Sequence, residues 1–245
     1  MIDEIMNSDD LVALYEKRKA KYGKDTYRHV SEVLEEAKII HKKDFSTSTT
    51  AIIAKKNGKV PDHEQSWRAF KGKNLEKLII HIIVDEVRAL KLEVIGGASL
   101  ERSGEGKLPA AIEKVKRNLV IDYGEFGMHL PDVDLVIYNP KDCKVIAVLS
   151  SKVTLRERVA QTGYWKFKLM ESDITKHIKV FFITPDEDGT LTKKIPTKKG
   201  RAIVETDLDG TYVMTEANIE ESDKVKLLDK FIDDLRKIST SNSKS

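Results

Sequence analysis

Two runs of apolar residues in the middle of the chain, 133–138 and 144–149, have almost no polar position within them. Strands that are buried on both faces have this composition, so both runs are predicted to be core strands. The turn-forming residues 139–142 (Asn-Pro-Lys-Asp) lie between them, which predicts a β-hairpin. A third apolar run, 179–184, ends at Pro185 and is predicted to be another core strand.

Apolar residues recur at helical spacing in several other parts of the chain. This periodicity predicts helices over residues 8–22, 25–41, 66–90, 109–117, 155–170 and, as a final amphipathic element, 219–238. Segments 202–207 and 211–215 flank Asp209-Gly210 and are predicted to form a second hairpin. The polar residues 45–50 and 55–58 are predicted to be loop or short strand.

The order of these elements predicts an α/β fold with a mixed central sheet flanked by helices. Residues 1–60 contain helical patterns and polar segments only, so we expect an N-terminal helical subdomain. Residues 61–238 would then form the core, and the polar residues 239–245 a disordered tail.

Composition narrows the class of protein only a little. The 43 basic and 40 acidic residues give a net charge of +3, which does not by itself identify a nucleic-acid-binding protein, and most lysine clusters are interpreted as solvated faces. Cys143 is the only cysteine, which excludes an internal disulfide and fits a reducing cytoplasm. Cysteine and histidine spacing predicts no zinc site, no apolar run approaches membrane-spanning length, and no secretory signal is evident, so we expect a cytoplasmic protein.

A carboxylate opens the first core strand and a lysine closes the second. Asp134 precedes the first strand, Asp132 lies two residues earlier on the same face, and Lys152 follows Asp134 by 18 residues, which brings the two together across a tight hairpin. Phosphodiester hydrolysis needs metal ions that neutralise the charge developing on the phosphate and a cation that assists the attacking water. Because Mg²⁺ needs only one or two protein carboxylates, Asp132 and Asp134 are candidate ligands and Lys152 a candidate catalytic residue.

These residues resemble the motif of the PD-(D/E)XK nucleases, with Pro131-Asp132 or Asp134 as its first half and Ser150-Ser151-Lys152 as its second. An ordinary member has an acidic residue where this chain has Ser150. Together with the following Arg156-Glu157-Arg158, this serine resembles the CCGG-type branch of the type II restriction endonucleases. The resemblance covers about residues 128–165 and implies a restriction-endonuclease-like core.

Members of that branch read guanine and cytosine with an Arg/Lys-acid-Arg motif at a helix start. The resemblance therefore implies that Arg156, Glu157 and Arg158 contact bases. Arginine can donate two hydrogen bonds to guanine O6 and N7, and a carboxylate can accept one from cytosine N4. The alternatives are a capping box formed by Thr154 and Glu157, and a solvated basic turn for the two arginines.

The branch also relocates its strand acid to a glutamate in the next helix, and this chain departs from that pattern. The positions 13 and 14 residues after Lys152 are Trp165 and Lys166. Gln161, one turn earlier on the same face, is the nearest polar substitute and a candidate DNA contact, and Glu171 lies further on. Asp132 as a second carboxylate is the other alternative.

Members of the superfamily often add a glutamate from an upstream helix. Glu76 is the preferred candidate because it shares a helix face with Ile80, Ile83 and Val87. An acid on an apolar face is costly unless it is satisfied, which favours a functional interpretation. Glu86 has a similar position, and either residue could instead reach solvent at the helix edge.

The resemblance predicts a type II restriction endonuclease that uses Mg²⁺ to hydrolyse both strands of double-stranded DNA at a short palindrome containing CC and GG. Asp134, Glu76 and Asp132 would bind the metal, and Lys152 would activate water. A palindromic target implies a homodimer, and a restriction enzyme implies a cognate methyltransferase. The alternatives are a repair or recombination nuclease of the same fold that reads DNA structure, and a DNA-binding protein whose catalytic site has decayed.

Overall fold

The structure, a computed structural model, describes residues 6–101, 108–155 and 158–242. The helices within these residues are α1 (Ser8–Tyr22), α2 (Val30–Thr47), α3 (Thr49–Lys56), α4 (His63–Ala89), α5 (Gly97–Glu101), α6 (Ala110–Arg117), α7 (Arg158–Met170), α8 (Lys199–Asp207) and α9 (Phe231–Asn242). The strands are β1 (Glu93–Gly96), β2 (Ile121–Asp122), β3 (Met128–His129), β4 (Leu135–Tyr138), β5 (Val145–Ser151), β6 (Lys179–Thr184), β7 (Gly210–Val213) and β8 (Val225–Leu227).

Six strands form one mixed sheet in the order β1-β4-β5-β6-β7-β8. Strand β4 pairs antiparallel with β1 and β5, whereas β5, β6, β7 and β8 pair in parallel. Strands β4 and β5 are the predicted hairpin, and β6 coincides with the predicted strand 179–184. The predicted α/β class with a mixed, helix-flanked sheet is therefore confirmed. Strands β2 and β3 form a separate antiparallel pair.

Helices cover both faces of this sheet. Leu135 and Ile137 of β4 belong to one hydrophobic cluster, which α1, α2, α4 and α9 cover. Val136 and Tyr138 belong to a second cluster on the opposite face, which α6, α7 and α8 cover. Successive side chains of a strand point to opposite faces, so a strand between two helical layers is apolar at every position.

The N-terminal helices contribute directly to the first of these clusters. Leu11 of α1 and Val33 of α2 are fully buried and belong to the same cluster as Leu78 of α4 and Phe181 of β6. Residues 8–56 are thus largely helical and cover one face of the sheet. No described helix has the length and apolar character required to cross a membrane.

Two predictions for the N-terminal region differ from the structure. The predicted helix 25–41 is a 3-10 helix over Gly23–His29 followed by α2, which continues to Thr47. The prediction of loop or strand for residues 45–50 and 55–58 is wrong for most of these positions, because α2 continues to Thr47 and α3 covers Thr49–Lys56, whereas residues 57–58 do form a turn. The Ser48 hydroxyl accepts a hydrogen bond from the N–H of Ala51 (3.2 Å) and caps α3. Serine is typical of loops, but it is also a preferred N-cap residue.

The predicted hairpin around Asp209-Gly210 is also wrong. Segment 202–207 is part of α8, and β7 pairs in parallel with β6 and β8. The fully buried Arg201 fixes α8 by donating to the Leu191 carbonyl and the Glu205 carboxylate. The Asp209 carboxylate accepts the N–H of Val180 (2.9 Å), which sets β7 beside β6.

The region predicted as one final helix, 219–238, contains β8, a 3-10 helix over Leu228–Lys230 and the start of α9. The Ser222 hydroxyl accepts the N–H of Val225 (2.9 Å), and the Glu221 carboxylate accepts the N–H of Leu227 (2.8 Å). These local side-chain bonds compete with helix formation before α9. Helix α9 extends to Asn242, so residues 239–242 are helical rather than part of a disordered tail, and residues 243–245 lie outside the described residues.

Candidate active site

The hairpin of β4 and β5 brings Asp134 and Lys152 together. Asp134 directly precedes β4, and Lys152 directly follows β5. The Lys152 Nζ lies 2.9 Å from both carboxylate oxygens of Asp134. Both side chains are largely shielded, with 11% of Asp134 and 26% of Lys152 exposed. The expected contact between the acid and the lysine is therefore present, and it involves Asp134.

Backbone hydrogen bonds hold both residues rigidly. The N–H of Asp134 donates to the Leu149 carbonyl (3.0 Å), and the N–H of Lys152 donates to the Ile183 carbonyl (3.3 Å). The N–H of Ser151 donates to the Asp134 carboxylate (2.5 Å). The acid is thus fixed by the strand that carries the lysine.

A glycine at the start of α5 completes the backbone frame around Asp134. The N–H of Gly97 donates to the Asp134 carbonyl (2.8 Å). A Cβ at position 97 would lie 1.9 Å from the Val133 carbonyl oxygen, a distance that no side chain can tolerate. Close approach of another backbone segment is one of the usual reasons for a glycine.

Glu76 of α4 lies within hydrogen-bonding contact of Asp134 and is half-buried. Burial and the negative charge of Asp134 raise the pKa of Glu76 to about 7, although the Lys152 ammonium opposes this rise. Glu86, the alternative on the same helix, is exposed. The structure therefore brings Glu76, and not Glu86, to the Asp134 carboxylate.

Asp132 lies at the edge of the same site. Its side chain is exposed and accepts a hydrogen bond from Gln161 Nε2 of α7 (2.8 Å). The buried Ser150 helps to line the small pocket that Asp132, Asp134 and Gln161 share. Ser150 stands where an ordinary motif has an acid, so the carboxylates of this pocket come from Asp132 and Asp134, directly before β4.

The residues at the position expected for a relocated glutamate have structural partners instead. Trp165 packs against the second hydrophobic cluster. Lys166 Nζ lies 2.5 Å from the Asp209 carboxylate, away from Asp134. Burial raises the pKa of Asp209, but Lys166 and the Val180 N–H outweigh this effect and hold the pKa below its usual value. Glu171 is exposed and pairs with Lys168 (2.8 Å), so it supplies no acid here.

The predicted base-reading motif lies only partly within the described residues. Arg156 and Glu157 are outside them, and Arg158 is the first residue of α7, with a side chain that is not described. Helix α7 nevertheless begins six residues after Lys152 and carries Gln161 to Asp132. The start of α7 is therefore adjacent to the candidate active site.

The donor set at this site suits a hard divalent cation. Two carboxylates in contact, Asp134 and Glu76, carry more negative charge than the single ammonium of Lys152 can neutralise. Burial and, next to it, the Asp134 charge raise the pKa of Glu76, so a cation bound here would compete with a proton for this carboxylate. Mg²⁺ prefers one or two carboxylate oxygens together with water, so the residues present fit such an ion.

A larger groove opens beside these residues and was not predicted. It has a volume of about 1310 Å³, lies between α4 and the segment before α8, and includes Glu76 and Lys152 in its lining. Four further basic residues line it: Arg68, Lys71, Lys198 and Lys199. The lysine clusters at these positions were interpreted as solvated faces, because the sequence alone does not show that they converge on one groove.

Comparison with known proteins identifies relatives over most of the chain. The family described as "BsaWI restriction endonuclease type 2" matches residues 111–234. A protein of Methanocaldococcus jannaschii, named "Putative type II restriction enzyme MjaVIP", is 36% identical over 216 residues, which cover 86% of this chain and 93% of that protein. A Helicobacter pylori protein, "Probable type II restriction enzyme HpyAORF263P", is 37% identical over 123 residues, which cover 50% of this chain and 62% of that protein.

Solved structures with similar folds are also restriction endonucleases. The structure titled "Restriction endonuclease PspGI-substrate DNA complex" has a TM-score of 0.58 at 13% identity and covers 97% of this chain and 94% of its own. The structure titled "Crystal structure of specific restriction endonuclease AgeI-DNA complex" has a TM-score of 0.50 at 14% identity, with 94% and 89% covered. At such low identity these likenesses establish the fold alone.

The sheet, its flanking helices and these structural likenesses define a PD-(D/E)XK nuclease fold, which confirms the predicted fold class. The match over half of the chain and the relative aligned over most of its length establish the family. The chain belongs to the type II restriction endonucleases, which are site-specific deoxyribonucleases.

Proposed function

We propose that this chain is a Mg²⁺-dependent endonuclease that hydrolyses both strands of duplex DNA at a short palindrome containing CC and GG. The observation that carries the proposal is the contact of Lys152 with Asp134 beside the half-buried Glu76. Taken alone, Lys152 or Asp134 could be explained as a polar residue at an exposed strand end. Taken alone, Glu76 could be explained as a residue at the edge of a helix. Neither explains two carboxylates held together away from water, which is costly unless a ligand compensates for it.

The chemistry follows from what each side chain can do. Asp134 and Glu76 would bind Mg²⁺, and Asp132 is the further candidate ligand. The bound ion would stabilise the negative charge that develops on the scissile phosphate. The Lys152 ammonium, fixed by Asp134, would orient the attacking water and assist its deprotonation.

The start of α7 is the proposed base-reading element. Arg156, Glu157 and Arg158 would contact guanine and cytosine edges in the major groove, and Gln161 would help to position α7 against the DNA. The relatives' names and the DNA complexes of PspGI and AgeI support duplex DNA as the partner. A palindromic site favours a homodimer. This homodimer would act in the cytoplasm, together with a methyltransferase that protects the same sequence.

Digestion of a sequenced plasmid tests the specificity. Wild-type protein with Mg²⁺ should give discrete fragments, and sequencing of their ends should show one palindrome with CC and GG at every cut. Degradation that starts from DNA ends would favour a repair or recombination nuclease. Site-specific binding without cleavage in Mg²⁺ or Mn²⁺ would indicate that the site is inactive.

Replacement of Lys152 tests the catalytic assignment. Lys152→Ala should lower the cleavage rate by at least about 100-fold, because it removes the group that assists the water. Metal-independent DNA binding should be largely retained. Lys73→Ala, an exposed lysine on α4 that does not line the groove, is the matched control and should cut at the wild-type rate. Cleavage at the wild-type rate by Lys152→Ala would exclude the assignment.

A further inference from the structure

The groove beside the candidate active site is lined by basic residues that have no part in the proposed catalytic mechanism. Helix α4 forms one wall, and the segment that leads into α8 forms another. Glu76 and Lys152 lie in the lining of the groove, so whatever occupies it reaches the reacting groups. Its volume of about 1310 Å³ is large for a small ligand and suits a length of polymer.

One face of α4 lines this groove along its length. Arg68, Gly72 and Glu76 are spaced four residues apart and therefore lie above one another on the helix. With a rise of about 1.5 Å per residue, Arg68 lies roughly 12 Å from Glu76 along the axis. Since a duplex rises about 3.4 Å per nucleotide along its axis, a face of this length is long enough to contact more than one nucleotide of a DNA strand.

Gly72 leaves space in the middle of that face. A Cβ at this position would have no protein atom within 4 Å, so packing does not explain the glycine. Glycine inside a helix costs about 1 kcal/mol relative to alanine. A close approach by a bound ligand is one reason to tolerate that cost.

The basic side chains around the groove differ in their present partners. Arg68 and Lys199 are exposed, and neither has an ion-pair partner within the described part of the chain. Among the residues that the structure describes, the hydrogen-bond partners of Lys198 Nζ are the carbonyl oxygens of Asp188 and Gly189 (3.3 and 3.1 Å). These cations are therefore free to accept an anion.

Lys71 is the exception, because it forms an ion pair across the groove. Its Nζ lies 3.1 Å from Glu187 Oε2, and both side chains line the groove. Glu187 is held on the loop after β6 by a hydrogen bond from its N–H to the Val153 carbonyl (3.2 Å). Its carboxylate therefore occupies a position beside Lys71 that an anionic ligand would otherwise take.

We propose that this groove binds the sugar–phosphate backbone of the DNA next to the scissile phosphate, through Arg68, Lys71 and Lys199. The Glu187 carboxylate stays paired with Lys71 until a DNA phosphate displaces it. This inference rests on the proposed function and extends it to a backbone-binding surface on α4 and at the start of α8. A partly exposed ion pair such as Lys71–Glu187 is weak, so a phosphate can replace the carboxylate. Binding through phosphates positions the duplex without reading its sequence.

Equilibrium binding without metal tests the backbone contacts. Fluorescence anisotropy would compare a duplex that contains the cleavage site with one that lacks it, over a series of salt concentrations. Arg68→Ala and Lys199→Ala should weaken binding to both duplexes by the same factor. Each should also reduce the slope of log affinity against log salt by about 0.9, the value for one lost phosphate contact. Lys73→Ala, on the same helix outside the groove, should change neither quantity.

Glu187→Gln tests the exchange at Lys71. It keeps the backbone bond to Val153 but removes the competing charge, so it should bind both duplexes several-fold more tightly than the wild type. In a Lys71→Ala background the same change should give a clearly smaller gain, because only the general relief of charge repulsion remains when Lys71 is absent. An equal gain in DNA affinity in both backgrounds, or no gain in either, would overturn the proposed exchange of the Glu187 carboxylate for a phosphate at Lys71.

The outcomes separate this proposal from the proposed function. If the wild type binds and cleaves DNA while Arg68→Ala and Lys199→Ala behave like Lys73→Ala, the groove does not bind the backbone and the active-site assignment stands. If the wild type neither binds nor cleaves duplex DNA, both proposals fail together.

Discussion

The carboxylate of Glu76 shows how a functional residue differs from a stabilising one. It lies beside Asp134 on the side of α4 that also carries Ile80 and Ile83, and burial together with the Asp134 charge raises its pKa to about 7. In the unfolded chain the pKa is close to 4.5. Between about pH 4.5 and pH 7 the folded protein therefore holds more protons than the unfolded chain, and stability falls as pH rises through this range.

Glu76→Gln should stabilise the metal-free protein at pH 8, because the amide removes a buried charge that is repelled by Asp134. The pKa change sets the expected gain at up to about 3 kcal/mol, since one unit corresponds to about 1.4 kcal/mol. At pH 5, where the folded wild type already holds the proton, the two proteins should be almost equally stable. Urea unfolding in EDTA at the two pH values measures this difference.

Glu86→Gln is the control for that experiment, since Glu86 is exposed on the same helix. It should leave stability unchanged at both pH values and cleavage intact, whereas Glu76→Gln should lose cleavage. A loss of stability in Glu76→Gln that is equal at pH 5 and pH 8 would contradict the charge argument and indicate a packing role for this residue.

Among the elements, those with strong periodicity were predictable. The helix over residues 8–22 and the strand over 179–184 coincide with α1 and β6. The contact of Asp134 with Lys152 was also predictable, because a tight hairpin fixes which strand ends meet. In these regions the local pattern and the tertiary packing favour the same structure.

Elements that depend on specific side-chain contacts were not predictable. Segment 202–207 is apolar enough for a strand, but the buried Arg201 anchors it as α8. Segment 219–230 has helical spacing, but Ser222 and Glu221 bond to the backbone before β8. Specific side-chain hydrogen bonds of this kind override weak helix and strand preferences.

Helix α7 is oriented by an ion pair in place of a catalytic acid. Lys166 contacts the Asp209 carboxylate, and the two side chains are 12% and 17% exposed. The same carboxylate accepts the N–H of Val180. The pair therefore connects α7 to β6 and to the start of β7, at the position where the CCGG-type branch leads one to expect a glutamate.

Lys166→Glu, which places an acid at that position, should therefore destabilise the protein rather than improve catalysis. The new carboxylate would face Asp209, for which only the more exposed Lys179 (3.3 Å) would remain as a counter-charge, and breaking a buried pair costs about 3 kcal/mol or more. Thermal unfolding followed by circular dichroism measures the loss. Lys168→Glu on the same helix disrupts the more exposed pair with Glu171 and should cost no more than about 1 kcal/mol. Equal melting temperatures for the two variants would contradict this role for Lys166.

Across the whole molecule, the N-terminal helices and the sheet are parts of one packed structure. The α1 and α2 side chains share a hydrophobic cluster with α4 and the strands. Polar contacts add to it, since Nδ1 of His29 lies 2.9 Å from the carboxylates of both Glu32 and Glu216. Arg28 also donates to the Thr215 carbonyl (3.1 Å) in the segment after β7. The helical layer that carries Glu76 is thereby fixed against the strands that carry Asp134 and Lys152.

Each chain brings together one Asp134, one Lys152 and one Glu76, so one chain supplies one site for one strand. Cutting both strands of a palindrome in a single encounter then requires two chains related by twofold symmetry. Co-expression of wild-type and Lys152→Ala chains with different affinity tags, followed by purification on both tags, isolates mixed dimers. These should convert supercoiled plasmid to nicked circles that persist, whereas doubly tagged wild-type dimers should give linear DNA. If no doubly tagged species is recovered, or if mixed dimers linearise the plasmid as fast as wild-type dimers, the two-site homodimer is excluded.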